Sequence, residues 1–528
     1  MRPLETALVG LLAIAILTRL LPAATRPRWI NRLPWLALAI LGVHLMVEKG
    51  RWPLVPVYGL TLLLSGLAAR GAPPAIERRR GRGLARTLGV ACALALAAMS
   101  TVLAVGFPIF EYPAPSGPYG VGTTRLALVD RSRDDPFAPT ARTPRELLVA
   151  VWYPADVPEN APRAPFWPKG TDAEAAVGLP AFMFSHLSLV HSHATSEARM
   201  ARAKDRWPVI IFSHGFNSTP WQNVVQMEEL ASHGFVVVSI GHTYDASRLT
   251  FPDGHVVLDN SRSRQPQPSP EAQREVARLT AKLDSLTDPD STRATWRHVE
   301  AYWQQVGVYV MPSIDVWYDD TRFVLDRLAA IDAATDAAID SGSDRETAGL
   351  RERFAGRLDL DRLGVAGMSF GGSTAGVTCM RDRRCKAGVN IDGWQFGHIL
   401  DHPLQVPFLF LSHDGNGEFP VYYGASADLL NVEVRGTTHG SFADLAIAMP
   451  FFRWIARPNL ALIGTTDGAS VERIMSRYLL AFFQRYLLDV PQPLLDAPHP
   501  PDDLRDATLT IVRPPPASPA PNVPSAPS

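Results

Sequence analysis

The run Leu363-Gly364-Val365-Ala366-Gly367-Met368-Ser369-Phe370-Gly371-Gly372 constrains this chain more than any other stretch. It begins as a short apolar strand and ends in Gly-x-Ser-x-Gly. The small residues 373–377 that follow can open a helix. A strand, a sharp turn and a helix are what a nucleophile elbow requires, because the serine hydroxyl must stand out at the apex of the turn. Gly367 and Gly371 leave room for strand and helix to approach. On its own this motif is also an ordinary turn, so its meaning depends on what lies elsewhere in the chain.

The flanking segments alternate between strands and helices. Residues 125–130 and 146–153 read as strands, the second closed by Pro154. A buried strand, residues 208–213, runs into His214-Gly215-Phe216, and a helix over 224–232 leads to another buried strand, 235–240. After the elbow come strands over 387–391, ending at Asp392, and over 406–412, ending at His413-Asp414-Gly415. A short strand at 432–434 precedes Gly436-Thr437-Thr438-His439, and an amphipathic helix spans 471–488. This pattern predicts an α/β fold with a mostly parallel sheet and helices on both faces. Residues 155–206 read as loop. They contain His186, His191 and His193, which lack a carboxylate or further ligand spacing and read as loop or substrate-side histidines. Residues 259–345 read as a polar, helical insertion, either a lid or cap or a structural flap, with an aromatic group at Trp296, Tyr302 and Trp303.

Serine at its ordinary pKa is a poor nucleophile, so a histidine must take its proton and a buried carboxylate must hold that histidine's tautomer. The α/β-hydrolase order is nucleophile, acid, histidine. Ser369, Asp392 and His439 satisfy it, with His413 as the competing histidine. Asp414 competes with Asp392, since both end adjacent strands, and spacing does not choose between them. His214-Gly215 after an early strand suits a loop that aims a backbone N–H at developing negative charge.

The N-terminal part differs sharply in composition. Apolar stretches over 4–21, 34–47, 53–69 and 88–110 stand in series, separated by arginine-rich gaps. A spanning helix needs roughly 20 apolar residues, so about four transmembrane helices are expected, the second stretch being short. A cleaved signal peptide would explain only the first stretch. Arg19, Arg26, Arg28 and Arg32 fill the first gap; Arg70, Arg78, Arg79, Arg80, Arg82 and Arg86 fill the third. The positive-inside bias puts both in the cytoplasm. The N-terminus and everything after residue 110 then lie outside, and the expected location is a bacterial inner (plasma) membrane with the catalytic domain extracytoplasmic. Net charge over the 528 residues is −1, which offers no basic field for nucleic acid. The expected organisation is a membrane region 1–110, a linker 111–122, an α/β-hydrolase domain 123–495 and a Pro-rich disordered tail 496–528.

From about residue 118 to 493 the chain resembles the platelet-activating factor acetylhydrolase family of lipid esterases, the group seven phospholipases A2. The resemblance rests on Phe212-Ser213-His214-Gly215, Leu230-Ala231-Ser232-His233-Gly234-Phe235, Gly367-Met368-Ser369-Phe370-Gly371-Gly372, Ile391-Asp392-Gly393-Trp394 and Thr438-His439-Gly440-Ser441-Phe442-Ala443-Asp444, in that order. It implies Ser369 as nucleophile, Asp392 as acid, His439 as base, and the backbone N–H groups of Phe216 and Phe370 as the oxyanion hole. It also implies an ester or phospholipid substrate with short or oxidised acyl chains, and no metal or cofactor. Met368 departs from the family, which usually has histidine there, and the family offers nothing for residues 1–110. Broader carboxylesterases and polyester hydrolases share the pattern. An extracytoplasmic address would permit a disulfide between Cys379 and Cys385, pinning the loop between the nucleophile helix and the acid-bearing strand.

Overall fold

The computed structural model describes residues 1–21, 27–70, 82–167, 180–264, 269–286, 288–306, 311–334, 344–448 and 463–513. Four apolar helices come first: α1 Pro3–Leu17, α2 Leu33–Val47, α3 Val55–Ala69 and α4 Arg82–Gly106. The first three with their adjoining turns, and the fourth within its own length, give spans of 18, 19, 18 and 23 residues, each long and apolar enough to cross a bilayer. The short second stretch gains length from the turn Arg28–Arg32 that leads into α2. Their outward faces carry large exposed apolar side chains such as Met46, Leu62, Leu84 and Val102, as surfaces in contact with lipid do. Arg26, Arg78, Arg79 and Arg80 lie outside the described residues.

Buried polar contacts fix how the helices pair. Arg51, between α2 and α3, bonds both carboxylate oxygens of Glu5 at 2.7 Å. It also donates to the carbonyls of Ala104 and Phe107 at 3.0 and 2.6 Å. The start of α1, the α2–α3 turn and the end of α4 therefore meet at one end of the bundle. At the opposite end Arg86 donates to the Leu21 carbonyl at 2.6 Å. The bundle also touches the following domain, where Trp52 Nε1 donates to the Met183 carbonyl at 3.0 Å.

That domain is built on one eleven-stranded sheet. Its strands are β1 Gly120–Asp134, β2 Pro144–Ala155, β3 Arg163–Pro165, β4 His191–Ser196, β5 Trp207–Ser213, β6 Val236–Gly241, β9 Leu358–Met368, β10 Cys385–Ile391, β11 Phe408–His413, β12 Leu429–Val434 and β13 Ala507–Val512. A separate hairpin pairs β7 Arg248–Thr250 with β8 Val256–Leu258. The sheet order is β13-β12-β11-β10-β9-β5-β6-β2-β1-β4-β3. From β6 to β12 the neighbours run parallel, while β2 pairs antiparallel with β6 and β1. This is the α/β-hydrolase fold, and all seven residues of β5 are buried, as befits a strand covered on both faces. Helices Val224–Ser232 and Gly468–Leu488 pack on one face. Helices Ser313–Asp332 and Phe370–Arg381 pack on the other.

Two stretches differ from the sequence-based expectation. The 155–206 region holds β3 and β4, and β4 pairs parallel with β1 through Gly122↔Thr195. Its sequence, His-Ser-His-Ala-Thr-Ser, has no apolar alternation, so only the neighbouring backbone makes it a strand. The domain also continues past residue 495: β13 pairs antiparallel with β12 from Ala507↔Val434 to Val512↔Leu429. It covers an edge that would otherwise expose unpaired backbone groups. Of the expected tail, residues 514–528 lie outside the described residues.

Within the insertion, the described residues include the helices Pro270–Asp284, Pro289–Val306 and Ser313–Asp332. Trp303 stacks on Trp394 with centroids 4.6 Å apart, and Trp296 meets it edge-on at 5.5 Å. The insertion thus packs on the loop that follows Asp392.

Candidate active site

Ser369 lies between β9 and helix Phe370–Arg381 with φ 56° and ψ −123°. Non-glycine residues visit this region only when their surroundings impose it. The imposing contacts are close: a Cβ on Gly367 would run into the Gly371 carbonyl, and one on Gly371 into the Ser213 carbonyl. The Ser369 amide donates to the Ile391 carbonyl at 2.8 Å, which ties the elbow to the strand carrying the acid. The serine itself is half-buried.

His439 opens a short turn after β12, and its Nε2 lies 2.9 Å from Ser369 Oγ. Its Nδ1 lies 2.7 Å from Asp392 Oδ2. The imidazole is about half exposed while the Asp392 carboxylate is fully buried. Burial alone would push that carboxyl up. Hydrogen bonds and charge from His413 and His439 outweigh burial and hold it well below the usual carboxylate range. Asp414, the competing acid, is exposed and instead accepts from the Gly436 amide at 3.1 Å. His413, the competing histidine, sits on the other oxygen of Asp392, with Nδ1 2.7 Å from Oδ1.

The His214-Gly215-Phe216 loop borders the serine. A Cβ on Gly215 would come within 3.2 Å of Ser369 Cβ. The Gly215 amide donates to Gln222 Oε1 at 2.6 Å, and Gln222 Nε2 contacts Met368 Sδ at 3.1 Å. Met368 thus serves as a wall contact for the loop. Phe216 and Phe370 meet edge-on at 5.4 Å, and both pack on Trp317 of the insertion. The Phe370 amide is in the first turn of its helix, where N–H groups have no intrahelical acceptor.

Beneath this loop lies a polar network that sequence reasoning missed. Ser213 Oγ is 3.1 Å from His242 Nε2, and His242 Nδ1 is 3.0 Å from Asp320 Oδ2. Arg145 clamps Asp320 through Nε at 3.1 Å and Nη2 at 2.6 Å, and reaches Asp135 at 2.9 Å. His214 Nδ1 donates to the Gly215 carbonyl at 2.7 Å, and the His242 amide donates to His214 Nε2 at 3.2 Å. The ring is therefore neutral, and burial pushes its pKa down to about 3. Although burial opposes ionisation of Asp320, Arg145 and His242 hold its carboxyl far below the usual range.

Cys379 and Cys385 are joined in a disulfide that links the nucleophile helix to β10, and Cys92 is a free, exposed thiol on α4. Of the three loop histidines, the His186 and His193 rings bond the Met183 and Tyr112 carbonyls at 2.9 and 3.0 Å.

Fold and site together define an α/β-hydrolase whose Ser, His and Asp stand in one hydrogen-bonded line. The sequence profile described as platelet-activating factor acetylhydrolase, isoform II, matches residues 106–270 and 337–492, more than half of the chain. The chain belongs to this family. The guinea pig (Cavia porcellus) platelet-activating factor acetylhydrolase is 23% identical over 406 residues, covering 74% of this chain and 80% of that protein. A probable 1-alkyl-2-acetylglycerophosphocholine esterase of Arthroderma benhamiae is 23% identical over 333 residues, covering 60% and 66%. Among solved structures, a ferulic acid esterase from Streptomyces cinnamoneus superposes with a TM-score of 0.54 at 26% identity, covering 76% of this chain and 99% of that one.

Proposed function

We propose that the protein is a membrane-anchored serine esterase that cleaves short or oxidised acyl esters of phospholipids or similar lipids. The observation that carries this is the unbroken line Ser369 Oγ–His439 Nε2 and His439 Nδ1–Asp392 Oδ2, at 2.9 and 2.7 Å. Ser369 Oγ attacks the ester carbonyl carbon while His439 Nε2 takes its proton, and the carbonyl oxygen gains the negative charge. The amides of Phe216 and Phe370, on the two segments flanking the serine, stabilise that oxyanion. Collapse of the intermediate expels the alcohol, protonated by His439, and leaves an acyl ester on Ser369. Water, deprotonated by the same histidine, then releases the acid.

A fluorophosphonate probe tests this reading. It should label the wild-type protein and fail to label Ser369→Ala; no labelling, or labelling unchanged in the variant, sinks the esterase and favours a non-catalytic membrane sensor. The ferulic acid esterase likeness favours a second reading, a general carboxylesterase of dienelactone- or polyester-cleaving type. Hydrolysis across acyl lengths, on phospholipids and on nitrophenyl esters, separates the two.

The arginine bias supports a cytoplasmic location for the α1–α2 and α3–α4 loops, which puts the opposite bundle end and the catalytic domain outside an inner membrane. A reporter enzyme fused after residue 120 should be active only on the extracytoplasmic side. Activity only in the cytoplasm reverses the orientation.

A further inference from the structure

Asp392 offers two carboxylate oxygens, and two histidines divide them. Oδ2 accepts from His439 Nδ1, whereas Oδ1 accepts from the His413 backbone amide at 2.9 Å and from His413 Nδ1 at 2.7 Å, with Asn416 Nδ2 at 3.4 Å. His413 is the last residue of β11, so the strand itself fixes its amide. The ring is not needed for that bond and is about one-third exposed, so packing alone does not dictate its position. A nitrogen facing an ionised carboxylate must carry the proton, which sets the His413 tautomer.

We propose that His413 is a positioning residue of this site: its Nδ1–H holds Oδ1 of Asp392, so that Oδ2 alone serves His439 and with reduced basicity. The proposal rests on Ser369, Asp392 and His439 being the catalytic set. A hydrogen bond to a carboxylate draws off part of its charge. The less charge left on Oδ2, the less it stabilises the imidazolium that forms on His439 when the serine proton is taken. Among the described residues, the neighbouring carboxylates Asp414 and Glu433 are each tied to a backbone amide, at Gly436 and Gly415 respectively. The His413 ring bonds the Asp392 carboxylate directly, at 2.7 Å.

The test is the pH profile of kcat/KM on a soluble nitrophenyl ester, using the full-length protein in detergent. His413→Ala should move the acid limb up by about half a pH unit; because the Asp392 carboxylate is then no longer held in place under the imidazole, kcat should still fall roughly tenfold, the size of one lost bond to a charged group. His413→Asn places its Nδ2–H where the ring Nδ1–H was and does not titrate; it should restore both the limb and the rate. A lower rate with an unmoved limb in His413→Ala, or no rescue by His413→Asn, overturns the proposal. A fluorophosphonate probe that labels neither wild type nor His413→Ala removes instead the catalytic reading beneath it.

Discussion

Asp392→Asn is expected to lower kcat by about 10⁴-fold, close to 5.5 kcal/mol of transition-state stabilisation, with the fold kept. The physical reason lies in the neighbours of the carboxylate. The His413 amide and ring both donate to Oδ1, so an asparagine there must turn its carbonyl oxygen toward them. Its NH₂ group then faces His439 Nδ1, where Oδ2 had been the acceptor. Nδ1 becomes the acceptor and the proton moves to Nε2, the nitrogen that must be empty to take the serine proton. The variant holds the ring in place but in the wrong tautomer. Asp414→Asn is the control: Asp414 accepts only from the Gly436 amide among the described contacts, so its loss should cost no more than a few-fold. If single-turnover kinetics put the 10⁴-fold loss on Asp414→Asn, the acid has been misassigned.

What could be read in the sequence follows from how local each feature is. The elbow, the His-Gly loop and the Gly-x-x-His turn each need a strand followed at once by glycine and one functional residue, so a short window contains the whole device. The choice between Asp392 and Asp414 had no such window. Both follow parallel strands that are neighbours in the sheet, β10 and β11. What separates them is that Asp392, at φ 53°, turns its carboxylate inward under the imidazole. His413 was visible as a histidine beside the site but not as a partner of the acid, because that bond joins the ends of two strands. The network under the oxyanion loop was hidden altogether: Arg145 and Asp320 are 175 positions apart, and neither sits in a motif. Backbone pairing alone likewise makes β4 a strand, where side-chain pattern gives no signal.

Arg145→Ala should be strongly destabilising, by about 3–5 kcal/mol, because it takes from the buried Asp320 and Asp135 carboxylates the guanidinium that pairs with both. Arg145 and Asp320 are both fully buried, and the guanidinium bonds both carboxylate oxygens as well as Asp135 and the Thr243 carbonyl at 2.9 Å. Without it, Asp320 keeps Arg133 at 2.8 Å and His242 at 3.0 Å. Burial holds His242 below its usual pKa, so protonating it in compensation carries its own cost. Asp320 is held well below the usual carboxylate range, which means its stabilising contribution is present above the ordinary aspartate pKa and fades only in acid. The loss in Arg145→Ala should therefore be full from neutral pH down to about pH 4 and shrink only below it, as Asp320 protonates. Arg145→Met combined with Asp320→Leu removes the Asp320 charge along with the guanidinium, leaving only Asp135 without this partner, and should cost less than the single change. Urea-unfolding midpoints of the three proteins decide it. A double variant as unstable as Arg145→Ala would show that packing around the guanidinium, and not the stranded carboxylate, sets the loss. Because His242 also anchors His214 on the Gly215 carbonyl, the activity of Arg145→Ala should fall even where it remains folded.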